Sequence, residues 1–515
     1  MNTLSVETTC GRLRGRVLDS QVTFKGVPFA RPPVGERRFA APEPATSWTG
    51  VRDAFEAGPA APQLAVGRLG PISQISRLVR GPMDEDCLTL SVSTPAVDSQ
   101  KRPVLVWFHG GAFVLGAGST FLYDAKALVT RGNVVVVTPN YRLGALGFLD
   151  LSRLSARPDA PSNLGLRDQI AALEWVRDNI ASFGGDPESV TVFGESAGAM
   201  SIGALLATAP SLFRRAILES GASANVSSAG EAEYIAERFL ASLGVAADDL
   251  ETLRSLGVDA ILQAQRSVLQ GASRRIGRLP WQPSIDGDLL PNPPLAMIEQ
   301  AGADRLEVLV GTNRDEWKLF TSASIALRAM GFDELERRIE RVLQRYGRSD
   351  GSSSTRAAAL YRDLTRQRGR AHTAYEAWVA FRSDEYFRMP AIALAESLTR
   401  SGASCFMYRF DFPIPAFRNA LGACHAAEVP LVFGTQRSPW LLPVYLGSRS
   451  ADRLAEVIQE AWLAFAESGH PRDAEVAAWP RYEMGSRSTR ILGNSKEIDP
   501  ILGDPEAAAR VFWMS

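Results

Sequence analysis

Two kinds of apolar pattern alternate along the chain. Pro103-Val104-Leu105-Val106-Trp107-Phe108 has no polar interruption and stops at a glycine loop, as expected of a strand buried on both faces. Val134 to Val137 repeats the pattern and is closed by Thr138-Pro139-Asn140. From Leu166 to Phe183 the spacing changes: Ile170, Leu173, Val176 and Ile180 recur every three or four positions, predicting a helix that Gly184-Gly185 ends. Ser189 to Phe193 predicts a further strand, followed at once by a glycine turn and a helix of small residues, Ala197 to Ala207. Ala216 to Leu218, Leu306 to Val310 and Cys405 to Asp411 read as later strands, and Arg453 to Glu467 as a helix near the C-terminus. Strands alternating with helices predict an α/β fold, a mostly parallel central sheet covered by helices. In such sheets chemistry gathers at the carboxyl ends of the strands. The stretch from about 230 to 403 is richer in charged, helix-like periodicity and is expected to form a helical cap or side lobe within one body. Gly26 to Gly35 is dense in turn residues, and Pro59 to Pro82 reads as a long irregular excursion.

Composition removes several function classes. The 515 residues carry 56 basic and 57 acidic side chains, a balance that offers no electrostatic footprint for nucleic acid or an anionic membrane. The longest apolar stretch, Val104 to Gly118, falls short of the ~20 residues that span a bilayer and contains His109. The polar start, Met1-Asn2-Thr3, does not read as a secretory signal. Cys10, Cys87, Cys405 and Cys424 form neither a disulfide framework nor a metal-binding spacing, and the histidines (His109, His372, His425, His470) are scattered. The expectation is a cytoplasmic protein with no metal and no other cofactor; its oligomeric state is not legible.

Gly194-Glu195-Ser196-Ala197-Gly198 is the motif that carries chemistry. It follows a predicted strand and opens a predicted helix, the context in which G-x-S-x-G makes a sharp turn that lifts the serine oxygen to the sheet edge. Without that context the pattern would be an ordinary small-residue helix start. A serine nucleophile needs a base, and the order serine, acid, histidine along the chain leaves out His109. His372 in a charged helical stretch and His470 in a polar loop read as surface residues. His425, in a loop after the last predicted core strand, is the candidate base. The acid belongs at the tip of Leu306-Glu307-Val308-Leu309-Val310-Gly311-Thr312-Asn313, where either Asp315 or Glu316 satisfies the spacing. No predicted strand delivers Asp384 or Glu385. A second glycine loop, His109-Gly110-Gly111-Ala112-Phe113, follows the strand ending at Phe108 and can aim backbone N–H groups at a developing oxyanion.

These features, together with Phe24-Lys25-Gly26-Val27-Pro28-Phe29-Ala30, Glu85-Asp86-Cys87-Leu88-Thr89-Leu90, Asn163 to Gln169 and His425-Ala426-Ala427-Glu428, resemble the type-B carboxylesterases, α/β-hydrolases that include bacterial p-nitrobenzyl esterases and cholinesterases. The resemblance covers nearly the whole chain. It implies Ser196 as nucleophile, Glu316 rather than Asp315 as acid and His425 as base. It implies oxyanion donors at Gly111, Ala112 and Ala197, with Ser220 and Glu195 close behind the site. The implied reaction is hydrolysis of small-to-medium uncharged carboxylic esters through an acyl-enzyme, with the same route open to carbamates and aryl amides.

Two departures narrow the implication. No tryptophan lies between Asp53 and Arg102, where cholinesterases hold a quaternary ammonium, so choline esters are not expected. Cys87 matches a half-cystine of secreted relatives, yet no cysteine stands at the partner position. Trp107, Phe113 and Phe320 flank the expected site and point to an apolar pocket. A transferase that deacylates onto an alcohol shares this chemistry. A non-catalytic interaction protein, such as the adhesion relatives that lost the serine, is a reading that Ser196, Glu316 and His425 oppose.

Overall fold

A computed structural model describes residues 2–64, 79, 81–152, 154, 160–276, 279–348, 352–493 and 500–514. Most of the excursion expected over Pro59 to Pro82 lies outside this set. Among the described residues one sheet of thirteen strands runs through the molecule. They are β1 (Thr3–Thr8), β2 (Gly11–Leu18), β3 (Gln21–Pro28), β4 (Val51–Asp53), β5 (Thr89–Thr94), β6 (Arg102–Phe108), β7 (Val135–Pro139), β8 (Gly185–Glu195), β9 (Arg215–Glu219), β10 (Glu307–Asn313), β11 (Ser404–Phe410), β12 (Ser488–Leu492) and β13 (Ile501–Gly503). The spatial order is β1-β2-β3-β5-β7-β6-β8-β9-β10-β11-β12-β13, with β4 beside β2. From β7 through β12 every neighbouring pair is parallel, whereas β1, β2, β3 and β5 form an antiparallel flank. This is the α/β-hydrolase architecture that the sequence implied.

The uninterrupted apolar runs explain the layering. Successive strand residues point to opposite faces, so a continuous apolar run supplies two cores at once. Val104, Val106 and Phe108 join one core with Val190, Val192, Leu218, Val308 and Val310. Leu105 and Trp107 join the other with Phe193, Ile217, Leu309, Phe406 and Tyr408. The helices Leu164–Asn179 and Ala197–Thr208 cover the first face, and Arg449–Ser468 covers the second with Ile458, Trp462 and Phe465 fully buried. The last of these is capped by Ser448, whose side chain accepts the Ala451 N–H, and ends at Gly469 in the left-handed region. Between Ala229 and Arg400 the chain is mostly helical, yet β10 crosses this stretch and pairs with both β9 and β11. No described helix is long and apolar enough to cross a membrane.

Candidate active site

β8 is paired on both edges, by β6 and β9, up to its final residues. At its end the chain reverses through Ser196, with φ 55° and ψ −122°, directly into the helix Ala197–Thr208. Such a conformation costs a non-glycine residue about 1–3 kcal/mol and persists only where its surroundings enforce it. Here the Ser196 N–H donates to Glu219 O at 2.9 Å, and its carbonyl accepts the Met200 N–H at 2.8 Å. The flanking glycines are obligatory for a steric reason. A Cβ on Gly198 would stand 1.9 Å from the carbonyl oxygen of Phe108, and one on Gly194 would stand 2.7 Å from it.

Two loops at the same sheet edge bring up the other groups. Glu316 follows β10, and His425 lies in the loop after β11. The loops are tied together by the backbone. Asp315 N–H donates to Ala423 O at 2.9 Å, and His425 N–H to Glu316 O at 3.3 Å. Across this junction Glu316 Oε2 sits 2.7 Å from His425 Nδ1, and His425 Nε2 sits 2.8 Å from Ser196 Oγ. The second Glu316 oxygen accepts the Asn313 N–H at 2.7 Å. The alternatives left open by spacing therefore separate by direction. The Asp315 carboxylate turns away, accepts the Ala423 N–H at 3.0 Å, and meets Arg314 and Arg370.

The surroundings of His425 are acidic. Burial alone would lower its pKa, but Glu195 and Glu316 overcome that and hold it above the usual imidazole range, at about 9. Glu195 Oε1 lies 3.0 Å from His425 Nε2, out of line for a hydrogen bond and with no other partner among the described residues. Burial pushes the Glu195 carboxyl up to about 7. Behind it stand two glutamates that carried no role in the sequence reading. Glu219 Oε1 accepts the Trp462 indole N–H at 2.8 Å, and burial raises this carboxyl well above the ordinary range. Glu428 accepts from the Asn313 side chain, and burial with the nearby Glu195 and Glu316 raises it to about 8. Ser220, fully buried with φ 53°, points its hydroxyl at Glu428 Oε1 at a long 3.5 Å. The sequence signal for these acids was available: Glu219 directly follows the apolar run Ala216-Ile217-Leu218, and Glu428 stands directly before Val429-Pro430.

The glycine loop packs on the serine turn. A Cβ on Gly110 would meet Glu195 Oε2 at 2.6 Å and Ser196 Cβ at 3.1 Å. Gly111, Ala112 and Phe113 all have positive φ, at 120°, 54° and 60°. Gly111 and Ala112 N–H make no hydrogen bond among the described residues, and Ala197 N–H opens its helix, where no intrahelical acceptor exists. His109 takes no part. It is fully buried, stacked at 4.5 Å on Tyr141, and burial lowers its pKa to about 4.

Ser196, Glu195, His425, Gly110, Gly111 and Ala112 open on one cavity of about 1700 Å³. Of the three aromatic residues expected to line it, Phe320 does, with its ring 5.2 Å from the His425 imidazole. Trp107 and Phe113 do not. Trp107 is fully buried behind the wall, against Tyr123, Phe193 and Phe433, and Phe113 is buried against Phe148. Phe387, whose ring is 4.7 Å from His425, and Met200 take their place in the wall. His372 is exposed, and His470 packs on Phe406 far along the chain from these loops. Asp384 and Glu385 pair with Arg388 and Arg382. No group of three or more histidine, cysteine or acidic side chains able to hold a metal occurs among the described residues.

The comparisons with known proteins agree in direction. The model of the carboxylesterase family matches residues 2–506. A para-nitrobenzyl esterase of Bacillus subtilis (strain 168) is 37% identical over 509 residues, covering 98% of this chain and 97% of its own. A phenmedipham hydrolase of Pseudarthrobacter oxydans is 33% identical, covering 95% and 94%. A solved PNB esterase structure superposes with a TM-score of 0.83 at 37% identity over 99% of this chain and all of its own.

Proposed function

The chain belongs to the carboxylesterase family and is a serine carboxylesterase acting on small-molecule esters, and from that premise we propose how its own residues carry the reaction. Ser196 is the nucleophile, His425 the general base and Glu316 the acid that fixes the imidazole. The observation that carries this reading is the continuous hydrogen-bonded chain from Glu316 Oε2 through His425 to Ser196 Oγ, at 2.7 and 2.8 Å.

Ser196 Oγ attacks the ester carbonyl carbon while His425 Nε2 takes its proton. The carbonyl oxygen becomes an oxyanion facing the N–H groups of Gly111, Ala112 and Ala197, donors fixed before the substrate arrives. Glu316 holds Nδ1 protonated and stabilises the imidazolium that forms. The tetrahedral intermediate collapses, the carbon–oxygen bond to the alcohol breaks, and His425 gives that alcohol its proton. Water, deprotonated by the same imidazole, then attacks the acyl-enzyme and releases the acid. Glu195 and Ser220 act behind this chain: Glu195 raises the basicity of His425, and Ser220 helps to hold Glu428. The helical segments between 230 and 403 form one wall of the cavity, to which they contribute Phe320 and Phe387. The four free cysteines support residence in a reducing compartment, which we take to be the cytoplasm.

The test is turnover of p-nitrophenyl esters of rising acyl length by the wild type and Ser196→Ala. Turnover lost in the variant, together with fluorophosphonate labelling of the wild type at Ser196, is the expected result. Residual turnover by Ser196→Ala comparable with wild type would remove the serine from the mechanism.

A further inference from the structure

The cavity wall is electrically lopsided. Six cationic side chains line it among the described residues: Arg314, Lys318, Arg328, Arg368, Arg370 and Arg382. Two carboxylates do so, Glu195 beside the serine and Glu376 among the cations. The acids that balance the arginines stand behind them. Asp315, Asp411, Glu385 and Glu506 pair with Arg314, Arg370, Arg382 and Arg368, yet none of these acids reaches the cavity surface. Glu376, paired with Lys318 at 2.9 Å and Arg370 at 3.5 Å, shares the lining with its cations, whereas Arg314, Arg368 and Arg382 line the cavity and their acids do not.

Two of the cations are incompletely satisfied by their acids. Arg314 touches Asp315 and Asp411 only at 3.4 and 3.3 Å, well beyond the ~2.7–2.9 Å of a full charge-assisted bond. Arg382, with its side chain 6% exposed, has Nη1 2.6 Å from Glu385 Oε2. That contact is misaligned for a hydrogen bond, and Arg382 Nε, itself buried, has no hydrogen-bond partner among the described residues. Its guanidinium lies 4.1 Å over the Trp317 ring, which holds it rigidly at the wall. Arg328 is exposed and has no ion-pair partner among the described residues. Near the imidazole the lining turns apolar, through Phe320, Phe387 and Met200.

We propose that this cationic wall is a subsite for a remote carboxylate, so that the enzyme accepts, beside neutral esters, esters of apolar chains ending in a carboxylate. The proposal rests on the serine esterase reading and adds a substrate class to it. An apolar stem fits the aromatic part of the cavity, and a carboxylate at its far end meets planar guanidinium donors suited to bidentate binding. Arginine keeps its charge at every accessible pH, so the preference persists as long as the substrate group is ionised.

The experiment compares matched ester pairs. In the acyl arm, p-nitrophenyl hexanoate, octanoate and decanoate are set against the mono-p-nitrophenyl esters of adipic, suberic and sebacic acid. In the alcohol arm, butyrate esters of simple alkanols are set against those of ω-hydroxy acids. The expected result is a KM about tenfold lower for the carboxylate-bearing member in one arm, at one chain length, shrinking as salt is raised. Arg314→Gln and Arg328→Gln are then read by the ratio of kcat/KM for the charged and neutral partners. That ratio cancels any disturbance that Arg314→Gln transmits through Asp315 to the catalytic loops. It is expected to fall several-fold in at least one variant. Neutral members equal or better in both arms at low salt, or a ratio unchanged in both variants, overturns the proposal. Loss of turnover on every ester would instead strike the esterase reading. The subsite is then read without chemistry, by calorimetric binding of octanoate and octanol to Ser196→Ala, and equal affinity overturns it.

Discussion

Asp315 and Glu316 are consecutive and both buried, yet they stand in opposite electrostatic environments. Burial would raise Asp315, but Arg314, Arg370 and Lys318 hold it below the usual carboxylate range. The same holds for Glu506, where Arg368, Arg388 and Arg409 outweigh burial. On the serine side Glu195, Glu219 and Glu428 have no arginine or lysine partner among the described residues, and burial raises all three. One side thus stores fixed ion pairs, and the other stores acids whose charge is free to adjust around one imidazole. An acid that must stabilise a transient imidazolium cannot be committed to a permanent guanidinium. That is a physical reason for Glu316, rather than its neighbour, to face His425.

The largest effect expected from breaking this contrast is at Ser196, the proposed nucleophile. Ser196→Ala should lower kcat by on the order of a millionfold while the folded signal in circular dichroism is kept. Next comes the pair of neighbours. Glu316→Gln should cost about 10⁴-fold in kcat by leaving the imidazole with the wrong tautomer. Asp315→Asn should cost far less activity but roughly 3 kcal/mol of stability in urea, because Arg314 and Arg370 lose the buried charge they share and keep only Asp411 and Glu376. A reversal of these two outcomes would exchange the roles assigned to the neighbours.

The pH dependence sharpens the same comparison. The base must be neutral to act, and its carboxylate neighbours raise its pKa, so kcat/KM should rise with pH along a limb lying above the usual imidazole value of about 6.5. Glu195→Gln removes one of those charges, and the limb should move to lower pH. An unmoved limb would mean that Glu195 is already protonated wherever the enzyme works. The smallest effect should come from Phe320→Ala. With its ring packed at 5.2 Å on the imidazole, its loss should change kcat/KM only several-fold and depend on acyl length.

The sheet was legible because uninterrupted apolar runs have a single economical explanation, and every strand predicted from them is present. The serine turn was legible because its glycines obey a local steric rule. The wall was not. Trp107 and Phe113 are close to the site in sequence, but Trp107 is buried in the core behind the wall residue Tyr123, and the turn at Phe113 buries its ring. The residues that do face the imidazole, such as Phe387, arrive from helices distant in sequence. The ion pairs were equally hidden: Arg370 meets Asp315 across 55 positions and Arg368 meets Glu506 across 138, and no local pattern announces such partners.

The contacts made by the hypothetical side chains at Gly110, Gly194 and Gly198 have a bearing on how this enzyme could change. At Gly194 and Gly198 the neighbouring atoms are all main chain, which cannot be swapped for something smaller by mutation elsewhere, and at Gly110 they belong to Glu195 and Ser196, residues of the site itself. The reacting centre is therefore closed to gradual adjustment, whereas Phe320 and Phe387 pack on other side chains, Trp317 and Tyr386 among them, and can be exchanged one at a time. A library built to redirect this catalyst should leave the glycine turns untouched and spend its diversity on the wall.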